Sequence, residues 1–256
     1  MGENGVGFDS STLRTFPTMW PVGGFNIERM VPAFIDGLVT QKLFTPWDQN
    51  TAAPAPSGSP KIGLVYMDIP FHAKHNVDFQ RALARHGFKV AETFGVRADS
   101  NYQADIQAAV LRFASNRVTH VIFNQDGSTF GFFALNASKQ RYYPRYGVTT
   151  LDFPEIVKQN VPDHRVFNGL KGVGWAPFSD IDTPPPHDAG EKECLKIYRD
   201  KGIDAADSNE ETLQLIECDV FFNFVRPASI AGRGLNVSSF LGAIQRLGRQ
   251  PSNAYS

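Results

Sequence analysis

The chain has 256 residues, with 25 Lys and Arg against 26 Asp and Glu, a formal net charge of −1 and a hydrophobic share of 42%. That balance belongs to a globular protein with a core, and it lacks the basic face through which nucleic acid is bound. No Lys/Arg run forms a polybasic patch and no apolar stretch approaches the roughly 18 residues that span a bilayer, so neither nucleic-acid binding nor direct membrane insertion is predicted.

Residues 1–11 are rich in Gly, Ser and Asn and are predicted to be disordered; 1–7 lack the basic and apolar regions of a signal peptide. The run at 13–20 reads as a short strand broken by Pro17. At 26–39 the apolar positions 27, 30, 31, 34, 35, 38 and 39 make one helical face, with Asn26 as N-cap and Pro32 either in the first turn or kinking the helix. Residues 43–60, with Pro46, Pro54, Pro56 and Pro60, read as a linker.

Strands and helices then alternate. The apolar run 61–67 is a strand; a helix starting near Asn76, with Val77, Phe79, Ala82, Leu83 and His86 on one face, leads to a second strand at 87–92. A helix at 101–115 buries Ile106, Ala109, Val110 and Phe113, and 118–124 is a third strand. Another helix from Phe130 to Arg141, with Phe133, Ala134 and Ala137 inward, reaches a fourth strand ending at Asp152. Such alternation predicts βαβ units and a parallel sheet, with ligands beyond the carboxyl ends of its strands. A short helix opens at Pro154, residues 164–176 form an extended glycine-punctuated run, and 177–187 a loop. The tail is helical at 188–200, at 209–225 with Leu213, Ile216, Val220 and Phe224 on one stripe, and at 240–247 behind an Asn236 cap.

Few motifs carry chemistry. His72 and His75 have a chelating spacing, but no carboxylate or cysteine completes a site, and no metal or cofactor is expected. Ser128 stands one place early for a nucleophile elbow, although 127–131 is a strand-to-helix turn whose free N–H groups suit an anion. The G-x-G at 172–174 lacks a third glycine and a following helix, which excludes a dinucleotide fingerprint. A small α/β hydrolase using Asp126, Ser128 and a histidine is the enzymatic alternative; no assembled catalytic set is visible. Cys194 and Cys218 are open to two readings, two buried thiols or one bridge.

The order of these segments resembles the type I periplasmic binding proteins, specifically ABC-transporter substrate-binding proteins of the branched-chain amino acid class. The resemblance rests on 13–18 and 26–39, on the strand–loop–helix–strand unit at 61–92, on 118–131, on 149–152 and on GVGWAP at 172–177. It implies a parallel-sheet βαβ lobe at 60–171, a remnant of the first lobe and linker at 1–59, and a mostly helical return to the first lobe at 172–256. The front of that lobe is missing from the pattern. It implies a non-catalytic, extracytoplasmic protein that binds a small polar solute, such as an amino acid, between two lobes and delivers it to a membrane permease. The ligand-facing positions it implies are Asp68, Phe71 and His72 in one loop, Asp126, Ser128, Thr129 and Phe130 in a second, and Leu151 and Asp152 in a third. Cys194 and Cys218 resemble a cysteine pair of some members, which implies a disulfide. A cytoplasmic ligand sensor of the same fold is the other reading.

Overall fold

The computed structural model describes residues 9–15, 26–124, 128–174, 180–181 and 186–247. In chain order these form α1 (Ser10–Thr15), α2 (Ile27–Thr40), β1 (Trp47–Asp48), β2 (Ala53–Pro54), β3 (Ile62–Met67), α3 (Pro70–Arg85), β4 (Val90–Val96) and α4 (Tyr102–Ser115). Then come β5 (His120–Asn124), α5 (Thr129–Lys139), β6 (Arg145–Thr149), α6 (Pro154–Asn160), β7 (Lys171–Val173), α7 (Ala189–Asp200), α8 (Ser208–Ala231) and α9 (Val237–Leu247). Short 3-10 turns lie at Thr150–Asp152, His164–Phe167 and Gly232–Gly234. The chain divides into two compact units, Asn26–Gly174 and Met1–Phe25 with Trp175–Ser256.

The first unit is built on the expected α/β pattern. Five strands pair in the order β4-β3-β5-β6-β7, all parallel. The chain runs outward from β3 to β4, then reverses to β5, so the sheet has its topological switch between β3 and β5. Residues alternate between two cores, as a parallel sheet covered on both faces requires. Ile62, Leu64 and Ile122 pack with Val31, Phe34, Ile35 and Leu38 of α2 and Phe79, Ala82 and Leu83 of α3. Val65, Val121, Phe123, Tyr146 and Val148 pack on the other face with Val110 and Phe113 of α4 and Phe130, Phe133 and Ala137 of α5. Gly147 has no side chain because α2 presses there: a Cβ would stand 2.7 Å from Leu38 Cδ1 and 2.9 Å from Leu43 Cδ2.

The helix ends repeat one device. After α2, α3, α4, α5 and α7 the chain turns through a left-handed residue (Lys42, Gly87, Arg117, Arg141 and Gly202). After α2, Lys42 N donates to Val39 O and Leu43 N to Leu38 O, the paired bonds that satisfy last-turn carbonyls. At the other end of α2, Asn26 caps as expected, accepting from Arg29 N at 3.2 Å, and Pro32 lies inside the helix.

Several local expectations change. The linker expected at 43–60 shrinks to 55–60, which is irregular and exposed or half-buried: Leu43, Phe44, Trp47 and Ala52 are buried, β1 and β2 pair antiparallel, and Trp47 Nε1 donates to Tyr143 O at 2.9 Å. The compact unit therefore begins at Asn26 and takes in α2 and the hairpin, rather than starting at residue 60. Helix α3 starts at Pro70, six positions before Asn76, and Val77 is 49% exposed while His72 and His75 are buried. The second strand is Val90–Val96 rather than 87–92, and the fourth closes at Thr149 into a 3-10 turn. Residues 164–167 form a 3-10 turn rather than extended chain. At 13–15, expected as strand, the chain belongs to α1, whose Thr12 N donates to Asp9 Oδ1 at 2.7 Å; 16–20 lie outside the described residues.

In the second unit α7 opens with a capping box in which Asp188 accepts from Glu191 N and Glu191 from Asp188 N. A disulfide joins Cys194 of α7 to Cys218 of α8, inside a small core with Leu195, Leu215 and Phe222. Helix α8 runs past 225 to Ala231, and its inward face is Gln214, Leu215, Cys218, Asp219 and Phe222. Of the stripe expected inside, Ile216 packs partly against this core, while Leu213, Val220 and Phe224 are turned outward, Leu213 62% and Phe224 56% exposed. The disulfide decides this, since it fixes which side of α8 meets α7.

Candidate functional site

The carboxyl edge of the sheet is built from the turns after Met67, Val96, Asn124 and Thr149. Leaving β3, Asp68 N donates to Val96 O at 2.7 Å, holding the ends of β3 and β4 together while the Asp68 side chain stays exposed. Ile69 is extended, as a residue before proline is pushed to be, and Pro70 begins α3 at once. Phe71 and His72 therefore sit on the first turn of a helix rather than in a loop. Phe71 is half-buried, its ring centroid 5.3 Å from that of His72 and 4.9 Å from that of His75.

His72 is buried, against the expectation of a ligand-facing residue, and is fastened to the last residue of β5. Asn124 Nδ2 donates to His72 O at 2.8 Å and to Asn76 Oδ1 at 2.7 Å, while Asn124 Oδ1 pairs with His72 Nδ1 at 3.1 Å. Because both amide protons are spent, Oδ1 is the acceptor and His72 Nδ1 carries the hydrogen. This buried network locks the start of α3 to β5 across the switch point. His75 is likewise buried, with Nδ1 2.7 Å from Asp78 Oδ2. Among the described residues, no group of three His, Cys, Asp or Glu side chains is placed to hold a metal ion.

At the second turn, Asp126 lies outside the described residues. Ser128 Oγ and Thr129 Oγ1 lie 3.0 and 2.9 Å from Tyr102 Oη, so the first residue of α4 is joined to the start of α5 by a hydroxyl cluster. Ser128 is exposed and Thr129 buried. Phe130 cannot face a ligand as expected: it is fully buried, with Tyr146 and Phe123 ring centroids 5.3 and 5.4 Å away. Its place in the helical period puts it on the core face.

The third turn also differs. Asp152, expected to meet a ligand ammonium, is buried, and its Oδ2 accepts from Thr149 N at 2.7 Å and Thr149 Oγ1 at 3.1 Å. It shapes the turn that follows β6, with Leu151 half-buried and Phe153 exposed beyond it. Next to this edge, Arg97 donates to Asp105 through Nε at 2.7 Å and Nη2 at 2.6 Å, and that bidentate pairing holds the Asp105 carboxyl at about 2. Sequence reasoning missed Asn124, Tyr102, Phe153 and the Arg97–Asp105 pair. Only Asn124 left a signal, as a polar residue closing an apolar strand.

No protein-family model matches the sequence, and no curated protein does. Solved structures do match in fold. An extracellular ligand-binding receptor from Verminephrobacter eiseniae superposes with a TM-score of 0.62 at 12% identity, over 96% of this chain and 63% of that one. A branched-chain amino acid ABC transporter protein from Thermus thermophilus with bound valine gives 0.61 at 15%, over 90% and 54%. A fatty acid ABC transporter substrate-binding protein from Thermomonospora curvata gives 0.58 at 16%, over 86% and 51%. The chain has the fold of the type I periplasmic binding proteins. It has part of it, spanning between 51% and 63% of the length of these three structures.

Proposed function

We propose that the chain is a solute-binding protein of an ABC importer, binding a small molecule at the carboxyl edge of its parallel sheet without catalysis. The observation that carries this reading is the edge itself. At the β3/β5 switch, where sheets of this order place ligands, buried Asn124 and His72 tie the surrounding turns together while Asp68 is left exposed and Phe71 half-buried. The Ser128 hydroxyl is engaged with Tyr102, which weighs against its use as the nucleophile of a hydrolase. The Cys194–Cys218 bridge supports an extracytoplasmic protein over a cytoplasmic sensor, because disulfides persist in oxidising compartments. A permease in the membrane is the partner this role implies. Among the described residues no helix is long and apolar enough to cross a membrane.

The solute is a small polar metabolite with an apolar part, an amino acid in the first instance; Asp68 and Ser128 supply polar contacts and Phe71 an apolar one. Neighbours of this fold carry names as different as valine and fatty acid, so the fold does not choose among solutes. The test is calorimetry and thermal shift of the chain with the amino acids, aromatic acids and urea. Saturable heat and a raised unfolding temperature with one of them support the reading; a flat response to all refutes it for this chain.

A further inference from the structure

Helix α8 carries an apolar stripe that the core of its own unit does not use. Leu213, Val220 and Phe224 recur at spacings of seven and four, which puts them on one side of the helix; Phe221 stands beside them, and all four are exposed. The stripe continues onto α9, where the Phe240 and Phe224 ring centroids are 5.6 Å apart and Val237 is exposed. The disulfide to α7 leaves α8 from another side, through Cys218, so the helix is anchored without the stripe. With Glu217 between Leu213 and Val220, the outward positions run 213, 217, 220 and 224, the alternating spacing by which one helix lies along another.

Charge along this stretch is sorted end to end. Residues 204–219 hold Asp204, Asp207, Glu210, Glu211, Glu217 and Asp219 with no Lys or Arg, whereas 220–247 hold Arg226, Arg233 and Arg246 with no Asp or Glu. The helix dipole accounts for acids in the first turn only, and Glu217 stands in the third. A surface that is apolar in the middle, acidic at one end and basic at the other is complementary to itself turned through half a circle, as a two-fold interface requires. It does not suit an anionic membrane, which the acidic end would repel. We propose that the outward face of α8, with α9 beside it, is the interface of a two-fold dimer of this chain, in which two α8 helices pack antiparallel. With the axis beside Val220, near the helix midpoint, Asp207 comes opposite Arg233 of the second copy, and Glu217 opposite Asn223, whose amide can donate to it. One helix pair makes a small interface, so association sets in at micromolar concentration or above. The dimer is independent of the solute-binding reading.

The experiment is sedimentation of the chain, Leu213→Glu and Arg233→Gln, from about 1 μM to about 1 mM and at low and high salt, with circular dichroism as the check on folding. Both replaced side chains are exposed, so neither substitution disturbs the core. The unaltered chain is expected to pass reversibly from monomer to dimer. Leu213→Glu places a charge on the seam twice, once in each copy, and should raise the dissociation constant at least about a hundredfold. Arg233→Gln should raise it about fivefold at low salt and less at high salt, because it removes an exposed ion pair from each end. A chain that stays monomeric throughout overturns the proposal, and leaves the stripe to a different polypeptide. Dimerisation unaffected by Leu213→Glu overturns it too, by placing the interface elsewhere. Association unchanged or tightened by Arg233→Gln refutes the antiparallel pairing, since in a parallel pair Arg233 would face its own copy.

Discussion

Replacing Arg145 by methionine removes the group that fastens the 42–47 segment to the start of β6. The guanidinium donates to Lys42 O at 2.8 Å, Leu43 O at 2.5 Å, Thr45 Oγ1 at 2.8 Å and Gly169 O at 2.7 Å, and it lies 5.4 Å from the Trp47 ring centroid. Methionine keeps an apolar stem of similar length and donates nothing. Lys42 and Thr45 are exposed, so water can replace those bonds; Leu43 is buried and Gly169 half-buried. Leu43 O keeps a bond from His120 Nε2 at 3.1 Å, so Gly169 O is the acceptor that loses its guanidinium donor, at a cost of about 1–3 kcal/mol. With the weakened hold on Leu43 and the release of a buried charge, the net loss is about 2 kcal/mol. For a unit running from Asn26 to Gly174, that is a fall of about 4–8 °C in the unfolding midpoint. A second readout separates this clamp from general damage. His120 is held at about 4, first by burial and then by the charge of Arg145. Its imidazole, followed by NMR, should therefore titrate higher in the variant, though burial keeps it below the usual histidine value. A loss under about 1 kcal/mol with His120 unmoved would refute the reasoning.

His120 also sets an acid limit. Its pKa is lower in the folded chain than in the unfolded one, so between pH 6.5 and about 4 only the unfolded state takes up the proton, and stability falls with pH. The full effect is about 3 kcal/mol, read as a falling denaturation midpoint over that window and removed in His120→Gln. Gly147→Ala should cost about 1–3 kcal/mol through overpacking against Leu38 and Leu43. Gly172→Ala, whose added Cβ would meet nothing nearer than 3.5 Å, should unfold with the unaltered chain; equal behaviour of the two variants would contradict the packing described. Breaking the bridge with Cys194→Ser and Cys218→Ser removes a cross-link of sequence separation 24. By loop entropy this destabilises the α7–α8 pair by about 3 kcal/mol, measurable as faster hydrogen exchange confined to those helices. Asn124→Ala should loosen the start of α3, with accelerated exchange at 70–76; protection equal to the unaltered chain would show that the buried network does not hold it.

Much of this protein is written locally. Apolar runs and period-3.6 patterns between residues 61 and 152 specify strands and helices in alternation, and that alternation is enough to require a parallel sheet with a ligand edge. Caps are local too, and Asn26, Pro154 and Asp188 act where their sequence neighbours place them. What depends on distant partners could not be read. Residues 43–60 look like a linker because their prolines break every period; Leu43, Phe44, Trp47 and Ala52 among them are core because Trp47 bonds to Tyr143 and Arg145 reaches back to Leu43. Leu213, Val220 and Phe224 of the apolar stripe on α8 are turned outward because a cysteine, not the stripe, fixes that helix to α7. At the candidate site, sequence located the three turns but not the duty of each side chain. Asp152, Phe130 and His72 were available chemically for a ligand, and the fold spends them on a turn, a core and a buried network. Side-chain type and spacing define an element and its faces. Which groups remain for a ligand is decided only when strands far apart in sequence come into register and claim the others.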